Sequence, residues 1–303
     1  MGLLQKRHLA DFSLAVLCIF WGMSFIIMKL AIMEMDLFYF LFARFLLGVL
    51  ILYGLFFKRL KNYNLKILKD GVILGTALFI TFIFQIIGLK YTSASNSGFI
   101  TGLHVVFVPI VLAFYFRRLP RATAFGGATL AAAGLFFLSV ASDFTINLGD
   151  TLTIFCALFA CFHIILTGVY AVRHDVYLLS LTQISTMVVL TGISALFFGT
   201  PPQSIHSLSP FVFLAIVLMG VFCTAFNFTV MTWAQQYTTP TRAATIYTLE
   251  PVFAAIFAFW WGGEVLGARG YLGAALIFLG IILSEFKSED WGKELLIKKG
   301  EGG

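Results

Sequence analysis

Long apolar runs, each bounded by a few polar or charged residues, follow one another along the whole chain. A helix rises 1.5 Å per residue, so about 20 apolar residues cross the roughly 30 Å hydrocarbon layer of a bilayer. The pattern predicts ten such spans, at 11–31, 36–57, 70–90, 95–116, 121–141, 149–171, 177–199, 210–233, 241–261 and 268–286. The first follows Lys6 and Arg7 as a signal peptide would, but it is too long and lacks a small-residue cleavage site, so it reads as a retained helix. The start "MGLLQK" lacks the Ser or Thr of a myristoylation signal. The charged end, residues 288–303, is too short to bury a core and is expected to be a cytoplasmic tail. The expected fold class is therefore an all-α integral membrane protein.

Composition agrees with the pattern. Of 303 residues, 60% are hydrophobic and only 11% charged, against roughly 25% charged in soluble domains. Cys18, Cys156, Cys161 and Cys223 all fall inside predicted helices, without zinc-site or loop-disulfide spacing, and read as packing residues. No metal or cofactor is expected. The chain has no G-x-S-x-G, no H-E-x-x-H and no Walker loop, which argues against an enzyme or an ATP-driven pump.

The net charge of +6 would suit a nucleic-acid partner, but the placement of the charges excludes that reading. Lys6 and Arg7, then Lys58 to Lys69, then Arg117, Arg118 and Arg121, then Arg173, Arg242 and the C-terminal lysines occupy alternate connections. This is the positive-inside pattern, with ten crossings and both termini cytoplasmic. The basic side suits an anionic inner leaflet, so membrane lipids are expected partners.

The chain also repeats. A shift of 146 residues lays "YTSASNSGFITGLHVVFVPI" on "YTTPTRAATIYTLEPVFAAI", and the register holds through Gly127 on Gly273 and Gly134 on Gly280. Each half, 1–145 and 146–287, holds five predicted helices. Five is odd, so the halves enter the membrane from opposite sides, as inverted repeats around a central cavity with a midplane site. Arg118 falling on Glu264 fits the inversion, one inside and one outside.

On "FWGMSFIIMKLAI", "FARFLLG", "YTSASNSGF", "LEPVFAAIFAFWWGGEVL" and "GYLGAALIFLGIIL", residues 10 to 286 resemble the EamA branch of the drug/metabolite transporter superfamily. The first half departs from it with "LHVVF" and "RRLPR", where the family often shows a proline and a Gly-Glu ending. The resemblance implies a bundle of two five-helix inverted repeats around a cavity. It also implies export of small metabolites such as amino acids or their derivatives.

Several residues are candidates for the site. Lys29 sits near the end of its span and is expected to snorkel to the interface. Arg44 lies about 12 Å below the outer surface, a long reach for a guanidinium, and should have a structural or substrate partner. Trp21, Phe25 and Lys29 share one helix face. That stripe either packs or, at Trp21, stacks on a planar or cationic substrate. Phe159 and His163 are the counterparts of this stripe on helix six, and His163 alone reads as a helix-packing residue. Gly71 with Gly75 and Gly98 with Gly102 form G-x-x-x-G pairs for close helix contact.

Glu250, followed by Pro251, lies at the middle of a span, where an uncompensated carboxylate costs at least about 2.5 kcal/mol. It either forms a fixed ion pair with Arg44 or serves as a substrate or proton site. Under the 146-residue shift it falls on His104, so two groups of opposite type meet near the midplane. Such a pair can bind a zwitterionic or cationic substrate, or pass a proton. Thr101, Tyr247, Asn227 and Thr81 complete the expected lining, drawn from helices one, three, four, six, eight and nine. The resulting reading is a secondary transporter in the bacterial inner (plasma) membrane, a monomer or homodimer, moving a small-molecule substrate. The alternatives are a lipid-carrier flippase and a non-transporting membrane subunit.

Overall fold

The computed structural model describes residues 3–92, 94–117, 122–139, 147–201, 208–262 and 267–285. Within them the chain is helical: α1 (Leu3–Ala31), α2 (Leu37–Phe56), α3 (Leu65–Leu89), α4 (Ala94–Gly102), α5 (His104–Phe116) and α6 (Ala122–Ser139). Then come α7 (Leu148–Ala171), α8 (Val176–Phe198), α9 (Pro210–Leu218), α10 (Asn227–Ala234), α11 (Pro240–Tyr247), α12 (Leu249–Gly262) and α13 (Ala268–Glu285). Eight stretches are long and apolar enough to cross a membrane, and α6 and α13 are two shorter apolar helices. The expected tail 288–303 and the charges Arg118, Arg121 and Glu264 lie outside the described residues.

Short polar residues at the ends of the apolar runs start the helices. Asp36, Asn64 and Asp175 each accept two backbone N–H groups at the first turns of α2, α3 and α8. Asn147 and Asp150 form a reciprocal capping box on α7. Thr239 caps α11 ahead of Pro240, whose missing N–H would have had no partner in the first turn. Outward faces carry apolar side chains such as Phe114, Leu196, Phe197 and Trp260, as a lipid environment requires.

Three of the expected spans are not continuous. Helix four breaks at Leu103, between α4 and α5, and helix nine breaks at Thr248, between α11 and α12. Helix eight passes from α9 into α10 through a π-helical segment, Met219–Phe226. At the helix-nine break, Pro251 cannot donate to the carbonyl four residues earlier, Tyr247. The Thr245 carbonyl there is caught by the backbone N–H and hydroxyl of Thr248, at 3.2 and 2.6 Å. At the helix-four break the Thr101 carbonyl lies 2.8 Å from Nδ1 of His104.

Close contacts fix how the helices run past one another. Leu17 and Phe20 of α1 receive Asn227 and Cys223, so α1 and helix eight are antiparallel. Asp11, Cys18 and Gly22 meet Arg242, Ile246 and Ala254 in turn, so α1 runs parallel to α11 and α12. The helix-three glycines act as expected, Gly71 against Thr182 and Gly75 against Thr186 of α8, in parallel. Gly98 is looser, with a Cβ there 3.8 Å from Pro251.

The tightest pair is α6 with α13. A Cβ added at Gly134 would lie 2.6 Å from the Gly273 carbonyl oxygen, and one at Gly280 would lie 2.6 Å from that of Gly127. The two helices are thus antiparallel and packed on each other. Only glycine permits backbones to approach so closely.

Candidate functional site

A cavity with roughly 630 Å³ of empty space, part of it continuous with solvent, lies where the two broken spans face each other. Trp21 and Ser24 reach it from α1, Arg44 from α2, and Thr81, Phe82 and Gln85 from α3. Thr101 and His104 border the helix-four break, and Tyr247 and Glu250 border the helix-nine break. His163 of α7 and Phe228 of α10 close the circle.

Arg44 is almost wholly buried, at 1% exposure. Its Nε donates to Thr224 Oγ1 at 2.9 Å and its Nη2 to the Cys223 carbonyl at 3.3 Å, both in the π segment. The guanidinium also lies 5.2 Å from the Phe45 ring and 5.1 Å from that of Phe82, a stabilising arrangement for a desolvated cation. Gly48 lets α2 come against Thr224, which brings the two partners within reach. Nη1 has no hydrogen-bond partner among the described residues. A buried donor left this way costs about 1–3 kcal/mol, so a ligand that accepts from it would recover that energy.

Glu250 has no ion-pair or hydrogen-bond partner for its carboxylate among the described residues. The fixed Arg44–Glu250 pair left open by the sequence is therefore not formed, although both residues line one cavity. Helix pitch set their depths alike, but Arg44 is drawn to the carbonyl and hydroxyl of the widened helix-eight turn instead.

His104 is placed differently from the expectation that it and Glu250 would face each other as a free acid and base. Nδ1 lies 2.8 Å from the Thr101 carbonyl and Nε2 lies 3.3 Å from the Ala244 carbonyl. Each nitrogen thus faces a backbone carbonyl, the protonated one donating to its carbonyl, and the ring bridges the two broken spans. Thr101 is buried beside Cys156, with Oγ1 and Sγ 3.7 Å apart.

An aromatic wall stands beside these charges. Trp21 packs 5.6 Å from both Phe228 and Tyr247, and His104 packs 6.1 Å from Tyr247. The Trp21 indole donates to the Cys223 carbonyl at 3.3 Å, and Gln235 donates to the Tyr247 hydroxyl at 3.1 Å. These bonds hold the ring planes in place.

Of the expected residues, Asn227 is the one that the structure keeps out of the lining. It is fully buried, donating to the Leu17 carbonyl at 3.1 Å, because its helix face turns to α1. Phe159 likewise stacks on Phe84 at 5.9 Å instead of lining the cavity. Lys29 is half-buried and donates to the Thr92 carbonyl, in the turn that follows α3, at 3.4 Å. Gln85 and Ser24 were not singled out from the sequence, although a glutamine inside the apolar run of helix three was a usable signal. A buried pair, Asp11 with Arg242 at 2.5 Å, joins α1 to α11 away from the cavity.

The EamA-like transporter family matches the chain twice, over residues 8–140 and 147–286. A protein of Archaeoglobus fulgidus described as an uncharacterized transporter is 34% identical over 278 residues, 92% of this chain and 86% of its own. A second uncharacterized transporter of that organism is 26% identical over 295 residues, 93% of this chain and 98% of its own. A solved crystal structure superposes with a TM-score of 0.76 at 16% identity, covering 93% of this chain and 97% of the other, which shows a shared fold.

Proposed function

The chain belongs to the EamA-like transporter family, part of the drug/metabolite transporter superfamily, and from that premise we propose that it is a secondary exporter of a small metabolite such as an amino acid or derivative. The observation that carries this reading is the cavity between the two broken spans, which holds a cation and a carboxylate not paired with each other. A zwitterion would offer a carboxylate to Nη1 of Arg44 and an ammonium to Glu250. Discontinuous helices meeting at a midplane site are the usual way such a site is built in inverted-repeat transporters.

The membrane arrangement belongs to the same proposal. Ten crossings alternate in direction, α6 and α13 being the fifth and tenth, and the parallel and antiparallel contacts described above are those that such alternation requires. The two family matches over 8–140 and 147–286 favour two five-helix repeats. The basic connections favour both termini on the cytoplasmic side of a bacterial inner (plasma) membrane. Cysteine labels at Ser142 and Ser204 should react from outside intact cells, and a label at Lys61 should not.

Alternating access follows from rocking of the halves about the cavity. Purified protein in vesicles, screened with amino acids and related metabolites, should move at least one of them and be thermally stabilised by it. If nothing in such a panel is moved or bound, the metabolite reading falls. Transbilayer movement of a lipid carrier in the same vesicles would then favour the flippase.

A further inference from the structure

Two histidines border the cavity, and their hydrogen bonds differ in a way that assigns a role to one of them. His104 faces backbone carbonyls with both nitrogens. His163 is held at one nitrogen only, with Nε2 3.0 Å from Oε1 of Gln183 on α8. Nδ1 of His163 has no partner among the described residues, and it is not among the polar atoms sealed off from space. Its ring is otherwise packed edge-on against Phe228, at 6.3 Å and 83°.

The chain of bonds beyond Gln183 has a direction. Thr232 on α10 gives its single hydroxyl proton to the Phe228 carbonyl at 2.7 Å, because a carbonyl only accepts. The Thr232 oxygen must therefore accept from Gln183, whose Nε2 lies 3.1 Å away. That orients the Gln183 amide and leaves its oxygen toward His163. An amide oxygen can only accept, so Nε2 of His163 carries the proton and Nδ1 carries the lone pair. Turning the amide over would leave either the Thr232–Phe228 bond or the Thr232–Gln183 bond unmade, and a buried polar group without its bond costs about 1–3 kcal/mol.

We infer that His163 is the neutral hydrogen-bond acceptor of the cavity, presenting a bare Nδ1 to an N–H or O–H donor of the solute, with Gln183 and Thr232 as positioning residues that fix its tautomer. The role rests on the transport reading for the presence of a solute; the tautomer itself does not. Neither positioning residue lines the cavity. The lining thus combines a cation at Arg44, a carboxyl group at Glu250 and a neutral acceptor at His163. An ammonium with several N–H bonds can use the last two together. A quaternary ammonium, which has charge but no donor, can use only the carboxylate.

The test is nitrogen NMR on the full chain with 15N-labelled histidine in lipid nanodiscs, titrated with 2-phenylethylammonium and with its N,N,N-trimethyl analogue. His163 should show a protonated Nε2 and a bare Nδ1 at rest. Its Nδ1 signal should shift with the primary amine and not with the trimethyl form. Gln183→Leu should give mixed tautomers and bind the primary amine roughly 2- to 10-fold more weakly, the loss of one neutral hydrogen bond. Gln183→Glu in its protonated form keeps one acceptor and one donor, and should restore the single tautomer. A proton on Nδ1 at rest, equal responses to the two amines, or no response to the primary amine would each overturn the assignment. Solute uptake by vesicles that persists alongside any of these results would leave the transport reading standing while this inference falls.

Discussion

The two broken spans occupy the same place in the 146-residue repeat to within one residue, since Leu103 maps onto position 249 and the second break is at Thr248. They are nevertheless built by different chemistry. In helix nine a proline follows the break by three residues and withholds a donor from the Tyr247 carbonyl, while the Thr248 hydroxyl holds the carbonyl of Thr245. In helix four no proline stands at the break, and an imidazole three residues on from Thr101 meets its carbonyl. The proline lets the second half keep its midpoint side chain, Glu250, free for the cavity. The first half uses its midpoint side chain, His104, to hold the backbone. Symmetry of position is therefore not symmetry of role.

The sharpest way to break that comparison is at Glu250. Glu250→Gln removes a titratable carboxyl group that no bond in the described residues uses, so the protein should unfold at an unchanged temperature while transport falls roughly 10- to 100-fold, the range of one charge-assisted hydrogen bond. Its pH dependence should also flatten. Wild-type transport with an unaltered pH profile would end the proposed role of Glu250. Next comes His104→Ala, which leaves the carbonyl held by the ring N–H uncapped and should cost about 1–3 kcal/mol of stability, read as a lower unfolding temperature in detergent. Whatever transport survives in the folded fraction should keep the wild-type pH profile. A stable His104→Ala protein with a changed profile would reverse the two roles. The smallest effect is expected of Thr248→Val, about 0.5–1.5 kcal/mol, because the Thr248 backbone N–H still reaches the same carbonyl.

Much of this was legible in the sequence because apolar length and loop charge report on the membrane directly. Helix rise alone placed Arg44 deep enough to need a protein partner, and it has two. The repeat shift identified the midpoints at His104 and Glu250. It conveys depth but not helix facing, which is why Asn227 was expected beside the cavity and instead bonds to α1. The break at Leu103 had only a weak local signal, since "TGLHVVF" lacks a proline and offers just Gly102, where α4 ends, and the His104 ring that meets the Thr101 carbonyl there is visible only in the structure. Gln183 and Thr232 were passed over for a related reason. A lone polar residue in an apolar helix gains meaning only when its neighbours on two other helices are known.

The α6–α13 contact has a consequence for ancestry. Gly134 meets Gly273 while Gly280 meets Gly127, and 127 + 146 is 273 just as 134 + 146 is 280. The same surface thus supplies both sides, with residue i against j and j against i, the signature of an isologous interface between two copies of one subunit. On the two-repeat reading, a single five-helix unit able to insert in either orientation would already have carried this seam. Joining two such units into one chain would then have fixed their orientations and allowed the midpoints to diverge into a scaffold histidine on one side and a free carboxylate on the other.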